Sequence, residues 1–237
     1  MIKQLSSHAK KYLADHEEFT RDLLFQLCAI PAPSNHEELR AEFIKKWLED
    51  LGAEGVYIDP ALNVVYPYQC ENKNELLVIM AHTDTVFPDL EPFTVKVEGN
   101  VASCPGIGDD TANVAILLTL IKYVIENKLN APKGVVFVLN AGEEGLGNLK
   151  GSRQIVKDYE GRISEFVSLD GSYTGVCNGA VGSMRYNVEV KTEGGHSYGS
   201  FGNRNAIQRL AAIIEKLYQV EVPHDGNSKT TYNVGMI

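Results

Sequence analysis

Apolar residues recur at roughly helical spacing over residues 6–27, at Leu13, Phe19, Leu23, Leu24 and Leu27, until IPAPSN breaks the pattern with two prolines. Ser34 or Asn35 can cap a second helix over residues 36–51, with Leu39, Phe43, Trp47 and Leu48 as its apolar face and Gly52 as its stop. The pattern then turns to β-type runs: VYIDP, LNVVYPY, and LLVIM at residues 76–80, whose unbroken apolar character suits a strand covered on both faces. Residues 111–128 predict a strongly apolar helix, GVVFVL at 134–139 another covered strand, and residues 166–169 a third.

Covered strands alternating with helices predict an α/β fold, a mixed sheet with helices on both faces, with chemistry beyond the carboxyl ends of the strands. After about Ala180 the pattern changes. MRYNVEVK at residues 184–191 alternates as an amphipathic strand with one wetted face, followed by a helix over residues 205–218 and a last strand, TTYNVGMI. The expected division is therefore residues 1–180 and a smaller α+β part at 181–237. That second part stops at Ile237 without a closing helix, so the chain reads as truncated at its C-terminus.

Composition narrows the class. A chain of 237 residues, 44% hydrophobic, can bury a substantial core. Its net charge of −9, from 31 acidic and 22 basic residues, argues against a nucleic-acid surface. Cys28, Cys70, Cys104 and Cys177 stand singly with no CxxC pair, which suits reduced thiols and a cytoplasmic location. The charged N-terminus has no apolar targeting core, and no stretch approaches the roughly 18 apolar residues of a membrane span.

Four polar signals fall at strand ends or at a helix start. LLVIM runs into Ala81-His82-Thr83-Asp84, where residues i and i+2 of an extended chain share a face. Such a pair suits a metal-binding imidazole held by a carboxylate, or a hydrogen-bonded polar turn. Asp109 and Asp110 lie between the glycine-rich turn CPGIG and the apolar helix, as a helix cap or as a carboxylate bridging two cations. Glu143 and Glu144 follow GVVFVL, and because adjacent residues diverge, one can ligate while the other acts as general base; a solvated pair is the alternative. Asp170 precedes Gly171 at the end of another strand, where a plain turn would also place it. Together the four converge on one rim, and one histidine with several carboxylates suits Zn²⁺, with Co²⁺ or Mn²⁺ as alternatives. Gly106 and Gly108 lack the full GxGxxG of a dinucleotide site.

The motifs AHTDTV, GIGDDT, NAGEEGLG and SLDG, in this order, resemble those of the di-zinc metallopeptidases and deacylases that include peptidase T, carboxypeptidase G, acetylornithine deacetylase and aminoacylase. The resemblance runs over nearly the whole chain, to GGHSYGSFGNRNAI and TTYNVGMI. It implies a zinc exopeptidase-like catalytic domain whose N-terminal part is residues 1–180, and the first half of a lid and dimerisation domain at 181–237. It implies that His82 and Asp170 bind the first zinc, Asp109 bridges both, Glu144 binds the second, Asp84 orients His82, and Glu143 is the general base. His196 would polarise the scissile carbonyl, and the Asp109–Asp110 peptide would be cis.

The chain departs from that pattern at Thr111 and Asn113, where the family usually carries Lys and Gly. The family's second zinc also needs a later histidine, expected beyond Ile237; His8, His16, His36 and His224 lie in helical or linker contexts that do not match it. The expected reaction is zinc-dependent hydrolysis of an amide in a small peptide, with an N-acyl amino acid as the alternative substrate. A catalytically incomplete fragment holding at most one metal is the reading from a different class. An exposed half-lid leaves an edge strand that could join a second copy as a homodimer.

Overall fold

The computed structural model describes residues 4–171, 174–223, 226 and 229–237. It divides into two compact units, at 1–174 and 175–237.

In the first unit the opening helical stretch is two helices, α1 (Ser7–Asp15) and α2 (Glu17–Cys28). The break falls at His16, whose ring Nδ1 lies 2.9 Å from the carbonyl of Tyr12 and stacks on the Tyr12 ring. Helix α3 (Glu38–Asp50) starts later than the sequence predicts, because neither expected cap is used: Ser34 Oγ donates to Asp84 at 2.7 Å, and Asn35 donates its amide to the Glu37 carboxylate. The predicted buried face of α3 also needs correcting. Leu39 is 66% exposed, and Arg40, Ala41, Ile44 and Leu48 point inward. Gly52 follows α3 with φ of +91°, the left-handed stop that glycine makes cheaply.

Five strands form the main sheet: β1 (Tyr57–Ile58), β2 (Val64–Tyr68), β3 (Leu76–His82), β6 (Gly134–Asn140) and β7 (Ile163–Ser168), in the order β1-β2-β6-β3-β7. The β6, β3 and β7 strands are parallel, whereas β1 and β2 are antiparallel to their neighbours, so the sheet is mixed. Residue alternation sorts the two faces. Phe137, Leu139, Val64, Tyr66 and Ala81 pack against α2, α3 and α4 (Ala112–Glu126), while Val136, Val138, Val65, Val78 and Met80 pack toward Ile155 of α5 (Lys150–Asp158). Helices therefore lie on both faces. At about 25 cal/mol per Å² of apolar surface, the fully buried β3, β6 and α4 side chains dominate the unit's stability.

The short hairpin β4 (Lys96–Glu98) and β5 (Val101–Ser103) and helix α5 have no counterpart in the sequence expectations. The hairpin is almost wholly exposed, and α5 buries only Gly151 and Ile155 and carries Ile155 and Val156 as its only large apolar side chains, so neither leaves an apolar run.

In the second unit, α6 spans Ala206–Leu217, and the side chain of Asn205 caps it by accepting from the Gln208 amide at 3.0 Å. Residues 184–191 and 230–237 are not strands among the described residues, contrary to the alternation in their sequence. A strand exists only as a ladder, and no described segment hydrogen-bonds along either one. No helix of the described residues is long and apolar enough to cross a membrane.

Candidate metal centre

Three parallel strands end on one rim. Strand β3 ends at His82, paired with Asn140 of β6, and the Thr83 amide extends this pairing by donating to the Asn140 carbonyl at 2.7 Å. The neighbouring strand β7 is prolonged by Leu169, whose amide donates to the Met80 carbonyl at 2.8 Å, which carries Asp170 to the same edge. The turn Ile107–Thr111 before α4 brings in Asp109 and Asp110. Its geometry is irregular: Asp109 and Asp110 have non-helical φ/ψ, and the peptide between them is cis, as the resemblance implies.

His82 lies at the centre of this rim and is buried. Its Nε2 is 3.0 Å from Asp109 Oδ1 and 4.0 Å from Glu143 Oε2. Its Nδ1 is 3.1 Å from the carbonyl oxygen of Asp84 and 3.5 Å from the Asp84 carboxylate, so both groups of Asp84 face that nitrogen. Ligating atoms of His82, Asp109 and Asp170 lie within 4.8 Å of one another, as do those of His82, Glu143 and Glu144. Sequence reasoning named all of these residues, and the fold brings all of them together.

Asp84 is fully buried and organises the rim. Besides the Ser34 hydroxyl, it accepts the backbone amides of Glu143 at 2.9 Å and Glu144 at 3.0 Å. Burial pushes its pKa upward, but His82, Ser34 and the Glu143 amide outweigh burial and leave the carboxyl below its ordinary value. Asp110 accepts the His82 amide at 3.1 Å and the side-chain amide of Asn113, and burial raises its carboxyl to about 7. Asn113, one of the two departures from the family pattern, thus serves as a donor to Asp110.

Glu143 and Glu144 are raised above the usual carboxylate range, first by burial and then by neighbouring carboxylates, Asp170 foremost for Glu143 and Asp109 for Glu144. Burial opposes a charge on His82, yet the hydrogen bond to Asp84 and the charges of Asp110, Asp84 and Glu143 raise its pKa to about 10. Several carboxylates gathered around a single imidazole, with Glu143 and Glu144 raised by burial and by their acidic neighbours, form a donor set that fits a divalent cation. Binding one requires His82 to give up its proton.

Several supporting residues were not legible in the sequence. Asn63 is fully buried. Its Oδ1 accepts the Ala141 amide at 2.9 Å, and its Nδ2 donates to Asp59 at 2.6 Å and to the Gly151 carbonyl at 3.0 Å, which fixes the loop leading to Glu143. Glu37, also fully buried, pairs with Lys150 at 3.0 Å, and the Lys150 stem lies over Gly142, where a Cβ would meet it at 2.5 Å. Arg40 reaches the carbonyls of Ile30 and Thr83. Each is a polar residue with at least one partner far away in sequence, so local spacing does not announce its role.

His196 belongs to the second unit and is described there alone. Its Nδ1 accepts the amides of Tyr198 and Gly199, both at 3.2 Å, so the neutral ring carries its proton on Nε2. Of the other histidines, His8 meets the Asn127 side chain and His16 lies against Tyr12, while His224 lies outside the described residues.

A mixed sheet whose parallel strands end in one imidazole and converging carboxylates defines the zinc exopeptidase class of fold. The chain belongs to peptidase family M28, whose model matches residues 63–192. It is 30% identical over 210 residues to a putative [LysW]-lysine/[LysW]-ornithine hydrolase of Pyrococcus abyssi, covering 89% of this chain and 54% of that protein. It is 24% identical over 214 residues to succinyl-diaminopimelate desuccinylase of Corynebacterium glutamicum, covering 89% and 57%. The chain spans about half the length of the curated relatives it matches. In fold it is similar to a Staphylococcus aureus tripeptidase, with a TM-score of 0.54 and 19% identity over 84% of this chain and 56% of that one. Aminopeptidase PepT from Bacillus cereus gives a TM-score of 0.52 and 19% identity over 65% and 43%.

Proposed function

We propose that the protein hydrolyses the amide bond of a small peptide, as a metal-dependent exopeptidase. The carrying observation is that Glu143 Oε2 stands 4.0 Å from His82 Nε2, beside the group His82, Asp109 and Asp170. In this reading His82 and Asp170 would hold a first zinc, Glu144 would hold a second, and Asp109 would serve both. A divalent cation there supplies Lewis acidity and neutralises the carboxylate cluster. Co²⁺ or Mn²⁺ would suit the same donors.

The chain's own residues do the rest. Glu143, raised by burial, is the general base that takes a proton from the attacking water and delivers it to the leaving amine. Asp84 fixes the direction of Glu143 by holding its backbone amide, and orients His82. His196, with its proton on Nε2, is a hydrogen-bond donor for the scissile carbonyl.

A second reading, an N-deacylase acting on an N-acyl amino acid, is favoured by the desuccinylase and hydrolase names of the relatives. A third, a chain with at most a mononuclear site, is favoured by the donor groups, since the two sets of possible ligands, His82 with Asp109 and Asp170 and His82 with Glu143 and Glu144, share a single imidazole. We further propose a cytoplasmic protein and a homodimer through the second unit, where Ile207 and Ile213 of α6 are exposed.

The test is Glu143→Ala assayed on dipeptides and on N-acyl amino acids, with metal content measured alongside. Lost turnover with metal retained supports the base assignment; appreciable turnover overturns it.

A further inference from the structure

We propose that Arg40 is a positioning residue for the metal centre: its guanidinium ties the strand end carrying His82 and Asp84 to the turn carrying Asp109, so that both ligands face one cation. The inference rests on the metal-site reading above.

Arg40 stands in the first turn of α3 and is 1% exposed, an unusual place for a cation. Its Nε donates to the Ile30 carbonyl at 3.0 Å, and its Nη2 donates to the same oxygen. Its Nη1 donates to the Thr83 carbonyl at 2.7 Å and, more loosely, to the Thr111 hydroxyl at 3.4 Å. Thr83 lies between His82 and Asp84, and Thr111 follows directly on Asp109 and Asp110. One side chain thus contacts both segments that supply His82 and Asp109, which are 27 residues apart in sequence.

The third contact widens the frame. Ile30 begins the loop that runs alongside residue 85: the Thr85 amide donates to the Ala32 carbonyl at 2.9 Å, and the Ser34 amide donates back to Thr85 at 3.3 Å. That same loop presents the Ser34 hydroxyl to Asp84. Arg40 therefore pins the start of the loop, the strand end and the helix turn at one point.

Its charge matters as well as its shape. Burial lowers its pKa to about 10, partly offset by the nearby Cys28 and Cys104 thiols and by Asp84, so it stays protonated at neutral pH. A buried cation persists only where its charge is offset and its N–H groups are bonded; the carbonyls of Ile30 and Thr83 take its donors, and Asp84 is the nearby carboxylate whose charge favours it. Lysine would supply the charge but not the planar fork that reaches Ile30 and Thr83 together. Arg40→Lys therefore separates geometry from charge.

The experiment compares metal-free wild type, Arg40→Lys and His82→Ala as full chains. Folding is followed by far-UV circular dichroism, and zinc affinity by titration with zinc chloride against a chromophoric chelator. Arg40→Lys is expected to keep the wild-type spectrum and bind zinc about tenfold or more weakly, the effect typical of losing a group that orients metal ligands. A folded Arg40→Lys chain with wild-type zinc affinity overturns the proposal. Should Arg40→Lys fail to fold, Thr111→Val decides, because it removes one acceptor and leaves Arg40 in place: weaker zinc binding supports the proposal and unchanged binding overturns it. A wild-type chain without zinc uptake, or uptake undiminished in His82→Ala, defeats the metal-site reading itself and the proposal with it. Uptake lost in His82→Ala but intact in Arg40→Lys defeats only the role of Arg40.

Discussion

Asp84 Oδ1 accepts the backbone amide of Glu143 at 2.9 Å, so a buried carboxylate at the end of one strand sets the course of the loop leaving the next. The companion contact to the Glu144 amide and the hydroxyl of Ser34 complete a three-donor cradle in which every donor needs an acceptor. Asp84→Asn keeps the shape but turns an amide NH₂ toward those donors. It is expected to cost about 3 kcal/mol, the scale of hydrogen bonds to a charged group, measured by urea denaturation. Stability equal to wild type would show that the cradle is not tightly held.

Gly106 places the turn before Asp109 against the loop after Asp84. Its φ is +68°, and a Cβ there would stand 2.5 Å from Thr85 Cγ2. Gly106→Ala should lose about 2 kcal/mol through strain and contact together. Adding Thr85→Ser removes the closest contact but neither the 3.2 Å approach to residue 85 Cβ nor the strain, so the double variant should recover part of the loss. Full recovery or none, by thermal or urea denaturation, would refute this division.

Cys28 gives the pH dependence a clear sign. Burial pushes its thiol from 9.0 to about 12. In the unfolded chain it ionises near the lower value, so the unfolded state releases a proton that the folded state retains. This contribution is fully present below about pH 9 and is lost as pH rises toward about 12, at up to about 1.4 kcal/mol per pH unit. Cys28→Ala should flatten the alkaline fall in stability relative to wild type. Iodoacetamide should label exposed Cys177 in the folded chain and reach Cys28 only on unfolding.

The legible parts of the fold are those where local pattern and burial agree. Residues 76–80 are wholly apolar because β3 is covered by helices on both faces, and the same holds for β6. The site was legible because His82, Asp84, Glu143 and Glu144 stand at or just after the ends of those strands, Asp170 just after β7, and Asp109 at the start of the apolar helix α4. Helix α3 shows where reading fails: Leu39 faces water and Arg40 faces inward, because the partners of Arg40 come from residues 30, 83 and 111, which no window around residue 40 contains. Asn63, Glu37 and Lys150 were missed for the same reason. In the second unit, the alternation of residues 184–191 marks which side chains prefer water but does not supply the strand that would pair with them.

The most direct test of the whole account is the position of the metal. Crystals of the full chain grown with zinc, measured at the zinc absorption edge, should show an anomalous peak about 2.0–2.2 Å from His82 Nε2 and from a carboxylate oxygen each of Asp109 and Asp170. No peak at His82, or a peak held by Glu143 and Glu144 with Asp109 and Asp170 unengaged, would contradict it.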